Sequence, residues 1–111
     1  SYDEARDKFL AAARLADAWT HRYDNPGKGP KGETLSTDLA WLGPRDASKV
    51  VVTISSTHGV EGYCGSGFQV DWLSGVGASA LPDGTAALFI HAINPYGFAW
   101  TRRVTEEGND L

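Results

Sequence analysis

At 111 residues the chain is one domain or part of one, long enough to bury a hydrophobic core. Its 41% apolar and 22% charged residues are those of an ordinary globular protein, and no apolar run approaches membrane-spanning length. The net charge is −4 and the only adjacent basic pair is Arg102-Arg103, which argues against nucleic acid as a partner. A lone Cys64 excludes an internal disulfide and a cysteine zinc cluster, and fits a reducing, cytoplasmic setting. The charged N-terminus carries no signal-peptide pattern. Ser1 at one end and Asp110-Leu111 at the other, without a polar tail, read as the cut ends of a longer protein.

Ser1-x-x-Glu4 has the form of a capping box. Apolar residues at Ala5, Phe9, Ala12, Ala13, Ala16 and Trp19 recur every three or four positions, predicting an amphipathic helix to about Trp19–Tyr23. His21 then falls near its end as a structural cation. Asn25 to Gly32 is dense in turn formers and reads as a loop. Thr34 to Leu42 partly alternates, with Leu35, Thr37, Leu39 and Trp41 on one side, and reads as a strand halted by Gly43-Pro44.

Val50 to Ile54 is a continuous apolar run of the kind found in a central strand covered on both faces. A helix follows from Glu61 to about Leu73. The small residues Gly62, Gly65, Ser66 and Gly67 in its first turns imply close approach to a sheet or ligand, and Phe68, Val70, Trp72 and Leu73 supply packing. Gly75-Val76-Gly77 ends it. Thr85 to Ile93 reads as another strand, and Asn94-Pro95-Tyr96-Gly97 turns out of it. No repeat, low-complexity tract or long linker divides the chain. The order helix, strand, strand, helix, strand predicts an α/β fold with at least one crossover between parallel strands.

The turn after Val50–Ile54 carries the most pointed chemistry. Open α/β sheets place ligands just past the carboxyl ends of their strands, where His58 and Glu61 stand between Gly59 and Gly62. Three-residue spacing puts both side chains on one side of a first helical turn. An imidazole nitrogen and a carboxylate oxygen suit zinc. A hydrolytic zinc site needs three protein ligands and an open position for water, so this pair is two-thirds of a ligand set. A guanidinium such as that of Arg103 can stabilise negative charge developing on oxygen.

Each residue also has a structural explanation. His58 fits a turn histidine bonded to backbone, Glu61 a first-turn carboxylate, Arg102 and Arg103 a solvated pair, and Asp110 the cap of a later helix. His91, among Phe89, Ile90 and Ile93, reads as a core histidine. Cys64 reads as small filler between helix and sheet, and Gly65-Ser66-Gly67 falls short of a nucleophile elbow.

Three segments taken in order resemble the zinc carboxypeptidase superfamily, in particular a bacterial branch catalogued as a domain of unknown function. They are Thr57-His58-Gly59-Val60-Glu61-Gly62, Asn94-Pro95-Tyr96-Gly97-Phe98-Ala99-Trp100, and Arg103 through Gly108-Asn109-Asp110-Leu111. The resemblance implies a three-layer α/β/α fold with a mixed, largely parallel sheet, truncated after the third predicted strand. Residues 1–111 would be the N-terminal part of a single zinc-carboxypeptidase-like catalytic domain.

It implies His58 and Glu61 as zinc ligands, and Arg103 as the group that polarises the scissile carbonyl. Arg102 is the alternative if the register slips by one, and a candidate for binding substrate. Asp110 would orient a ligand imidazole. An Asn-Arg pair, a third ligand (His) and a general-base Glu would lie past Leu111, leaving this chain alone inactive. The implied activity is cleavage of a peptide or N-acyl amide bond by metal-activated water, with a small peptide or N-acyl amino acid as substrate and zinc as cofactor. Neither nucleic acid nor membrane is an expected partner. The competing readings are a non-catalytic binding or scaffolding domain that retains the fold without metal, and an ester or amide hydrolase built on Cys64.

Overall fold

The computed structural model describes residues 1–111. Its elements run α1 (Tyr2–Leu15), β1 (Trp19–Lys28), β2 (Thr34–Leu42), β3 (Lys49–Ile54), α2 (Gly62–Gly75), β4 (Thr85–His91) and α3 (Pro95–Trp100), with 3-10 turns at Gly59–Glu61 and Gly77–Ala80.

At the N-terminus the Ser1 hydroxyl accepts the Glu4 N–H while the Glu4 carboxylate reaches back to the terminal ammonium, closing the predicted capping box. Helix α1 buries Tyr2, Phe9, Ala12 and Ala13, and it stops at Leu15 rather than near Trp19–Tyr23. Asp17 adopts a φ of 55°, which turns the chain back on itself. Trp19, His21 and Tyr23 then alternate along β1 opposite Trp41, Leu39 and Thr37, so His21 is a strand residue and not a helix-end cation. That period-two row of rings prevails over the helical spacing that had placed Trp19 on α1. Asn25 to Lys28, expected in a loop, continue β1 through a bulge between Asp24 and Lys28. An edge strand tolerates Pro26, because no ladder bond is required of its nitrogen.

The sheet order is β1-β2-β4-β3. The α/β class and the mixed sheet are as expected, but the balance of pairings differs. β1/β2 and β2/β4 are antiparallel and only β3/β4 is parallel. A parallel pair needs a long crossover, and α2 between β3 and β4 is the one helix that joins two strands of the sheet in that way. Both long helices pack on the same face: Phe9 and Ala13 of α1 and Leu73 of α2 share one buried cluster with Ala40, Leu42, Ala87 and Phe89. These residues thus form two layers, one of helices and one of sheet.

The covered side of β2 carries Asp38, Ala40 and Leu42, while Leu39 and Trp41 of the alternating row lie half-buried on the bare side. The strand buried most completely is β4, not β3. β3 pairs with β4 alone, and Val50, Val52 and Ile54 stay 43–51% exposed on the bare face. Helix α2 runs as predicted and ends at Gly75, and Gly62 and Gly65 in its first turn give the expected close approach.

Because β3 and β4 are parallel neighbours, their carboxyl ends emerge side by side. Beyond them Ser56 and Ala92 both take left-handed backbone angles, φ 60° and 58°. The Ile93 and Asn94 N–H groups donate to the Ser55 and Ser56 carbonyls at 3.0 and 3.2 Å. The Ser55 hydroxyl accepts the Ala92 N–H, and that of Ser56 donates to the Asn94 carbonyl. The two chains therefore leave the sheet bonded to each other, which fixes how the following turns meet.

Candidate metal centre

His58 opens the turn Gly59–Glu61 that links β3 to α2. In a 3-10 turn residues three apart eclipse one another, and His58 Nδ1 faces Glu61 Oε2 at 3.3 Å. On the far side of the ring, Nε2 lies 3.1 Å from Asp110 Oδ1. The other oxygen of that carboxylate accepts a hydrogen bond from Arg103 Nε at 3.0 Å. This bond, reinforced by the charges of Arg103 and His58, holds the Asp110 carboxyl below its ordinary range.

The glycines of the turn have a steric reason. A Cβ on Gly59 would stand 1.9 Å from the Gly97 carbonyl carbon and 2.4 Å from the Arg102 oxygen, and one on Gly62 2.3 Å from the Phe98 ring. The His58–Gly62 segment is thus seated directly on α3. Asn94 ties the third segment in. Its Oδ1 accepts the Gly97 N–H at 2.9 Å, capping α3 with Pro95 in the first turn. Its Nδ2 donates at 3.4 Å to the Arg103 carbonyl, which also accepts the Gly59 N–H at 3.4 Å. Segments separated by more than thirty residues in the chain meet at one edge of the sheet.

Two donors each about 2.0–2.1 Å from a tetrahedral zinc stand about 3.4 Å apart. The 3.3 Å between His58 Nδ1 and Glu61 Oε2 suits such a pair, and Asp110 on Nε2 stands where an outer partner of a ligand histidine belongs. No group of three His, Cys, Asp or Glu side chains converges to hold an ion. The residues present fit zinc as two ligands with an orienting carboxylate.

A family model described as "Protein of unknown function (DUF2817)" matches residues 1–111. The chain belongs to that family. No curated protein matches it significantly. Its fold is similar to that of solved glutaminyl cyclases. The Fimbriiglobus ruber enzyme matches at TM-score 0.53 and 11% identity, covering 78% of this chain and 35% of that one. The Macrostomum lignano enzyme matches at 0.54 and 13%, covering 79% and 30%. The Porphyromonas gingivalis enzyme matches at 0.54 and 15%, covering 93% and 38%. At such identities the likeness is one of fold, and the chain spans about a third of the length of these proteins.

Of the residues singled out in this DUF2817 chain, His58, Glu61, Asp110 and Arg103 come together and Arg102 does not. The Arg102 guanidinium lies over the Trp100 ring, 5.8 Å from its centroid. Cys64 is exposed on α2, and no hydrogen bond joins it to His58. His91 is fully buried, stacked on Phe9 at 4.5 Å, with Nε2 2.9 Å from the Ser66 hydroxyl. Desolvation, aided by the Arg6 charge, pushes its pKa down to about 4, so it is a neutral core histidine.

The sequence places Asn94 in a turn and a family-like segment without showing that it ties the segments together, and it says nothing of the Ser56–Ala92 pair. An Asn followed by Pro is a legible helix-start signal. Left-handed Ser and Ala announce themselves in no pattern.

Proposed function

We propose that this chain carries two ligands of a zinc site in a hydrolase of the metallocarboxypeptidase or deacylase type, acting on a small peptide or an N-acyl amino acid. The observation that supports this most is the opposed placement of His58, with Nδ1 beside Glu61 and Nε2 on Asp110. His58 and Glu61 would hold the ion, and Asp110 would fix the imidazole ring. A bound zinc would supply Lewis acidity and a water acidified toward a pKa of ~7. The Arg103 terminal nitrogens, free of hydrogen bonds within the chain, are available to an oxyanion on the substrate, with Arg102 the alternative or a substrate contact. The third ligand and the general base would come from outside residues 1–111.

The test has two arms. Zinc added to the 111-residue chain should perturb the His58 and Glu61 signals in NMR spectra, and His58→Ala or Glu61→Ala should abolish the response. The natural polypeptide that contains these residues should hydrolyse N-acyl amino acids or short peptides, lose that activity to a chelator and regain it with zinc. The solved neighbours are named as glutaminyl cyclases, so an N-terminal glutaminyl peptide belongs in the same panel. Cyclisation of that peptide without hydrolysis of the others would replace the hydrolytic reading. A natural polypeptide that ignores zinc and turns over nothing would make the non-catalytic domain the better account.

A further inference from the structure

We propose that Arg103 is a positioning residue that decides which nitrogen of His58 is free, acting through Asp110 and separately from any contact of its terminal nitrogens with substrate. The inference rests on the metal reading for its purpose, since a freed Nδ1 is the nitrogen that faces Glu61, but not for its geometry.

The His58 ring lies between two carboxylates, Glu61 at 3.3 Å from Nδ1 and Asp110 at 3.1 Å from Nε2. An ionised carboxylate only accepts hydrogen bonds, and a neutral imidazole has one N–H to give. In the neutral ring one contact is therefore a hydrogen bond and the other sets a nitrogen lone pair against an oxygen, whereas a protonated ring would donate at both. If Nε2–H donates to Asp110, Nδ1 and Glu61 Oε2 become two acceptors facing a common point, the arrangement a cation satisfies. The opposite tautomer would spend Nδ1–H on Glu61 and close that point.

The choice turns on which carboxylate is already in place. Glu61 is two-thirds exposed and hydrogen-bonds to nothing but His58, so holding it against Nδ1 costs side-chain freedom. Asp110 is anchored before the imidazole is counted, because Oδ2 accepts from Arg103 Nε while Oδ1 meets His58. Arg103 is itself anchored, its carbonyl accepting from both Gly59 N–H and Asn94 Nδ2. Gly59 follows His58 directly, so Arg103 grips the histidine turn through its backbone and the histidine ring through Asp110. The planar guanidinium presents Nε–H in a fixed direction, which an ammonium on a flexible stem does not reproduce.

The test uses the metal-free 111-residue chain with labelled imidazole nitrogens at about pH 8, where an ordinary histidine is neutral. Nitrogen shifts report directly which atom carries the proton. The wild-type ring should be predominantly the Nε2–H tautomer. Arg103→Gln should raise the Nδ1–H share, and Arg103→Lys should recover only part of the wild-type ratio. Asp110→Ala should abolish the bias, and adding Arg103→Gln to it should change nothing more, since both act on one line. Zinc affinity should follow, falling by about tenfold in Arg103→Gln, the low end for loss of an outer partner of a ligand.

A wild-type tautomer ratio in Arg103→Gln, or additive effects in the double variant, would overturn the proposal. Arg103 and Asp110 are each more than half exposed, so these variants leave the core alone. If zinc leaves the wild-type His58 signals unmoved, the metal reading is lost, and the tautomer ratio still decides whether Arg103 positions the ring.

Discussion

A buried histidine with one bond too few makes the fold sensitive to acid. His91 sits opposite Asp38 across the β2–β4 ladder, with Arg6 bridging that carboxylate through two bonds at 2.6 and 3.0 Å. Its Nε2 meets Ser66, and its Nδ1 has no partner. A proton added there must be accommodated in a dry site near the Arg6 charge, so the native state refuses it until about pH 4 while the unfolded chain accepts it near 6.5. Neutral His91 therefore contributes stability that is fully present above pH 6.5 and is lost as pH falls from there to about 4. The loss should be on the order of 3 kcal/mol, the shift at ~1.4 kcal/mol per unit. Urea midpoints taken across that range should decline in the wild type and flatten in His91→Gln. Equal slopes in the two proteins would mean that His91 is hydrated and the burial argument wrong. The core placement of His91 was legible from its apolar neighbours. Its partner Ser66 was not, because a hydroxyl twenty-five residues upstream carries no pairing signal in a sequence.

Glycines in and around α2 separate by what a side chain would strike. Gly59 and Gly62 press on α3, whereas a Cβ on Gly67 would meet nothing within 4 Å. Gly59→Ala should destabilise by about 3 kcal/mol or more, beyond ordinary overpacking, since the obstacle is backbone that cannot rotate away. Gly67→Ala should instead stabilise by roughly 0.5–1 kcal/mol through reduced freedom of the unfolded chain. Thermal melts of the two variants should move in opposite directions; a shared direction would show that the Gly59 turn does not sit on α3 as described. Sequence reading foresaw that these small residues allow close approach and could not tell which of them use it. The same limit explains β1. Trp19 satisfies both the period of α1 and the period of the ring row, and only the left-handed Asp17 breaks the tie. With β3 the run of valines correctly indicated a strand that feeds the site, but apolar content does not distinguish a covered strand from one left bare.

Across the whole molecule the two faces of the sheet differ. One carries α1 and α2, while on the other Trp19, Trp41, Val52, Leu88 and Ile54 lie along paired strands with no layer above them. Trp19 and Trp41, with Arg45, border an open groove of about 230 Å³ on that side. The meeting of the His58 and Asn94 turns was legible because parallel neighbours deliver their carboxyl ends to one edge, whatever the loop lengths between them, whereas the return of Arg103 and Asp110 follows from no such rule. The bare face was not, since alternation along β2 marks two sides without saying which is covered.

An apolar face bordered by an unpaired edge strand is an association surface for whatever can reach it, and in a solution of this chain alone that is another copy. Sedimentation or light scattering should therefore give a mass that rises with concentration. Val52→Lys places a charge at the middle of the exposed row and removes little buried contact, since Val52 is half exposed. It should shift the chain toward monomer while leaving the melting temperature nearly unchanged. The groups of the proposed metal centre lie past the ends of β3 and β4 rather than on that face, so His58 should respond to zinc equally in wild type and Val52→Lys. A wild-type chain that stays monomeric at every concentration would mean that the rings of β1 shield the face better than their exposure indicates. A zinc response that vanished with Val52→Lys would tie the site to the assembly instead of to the single chain.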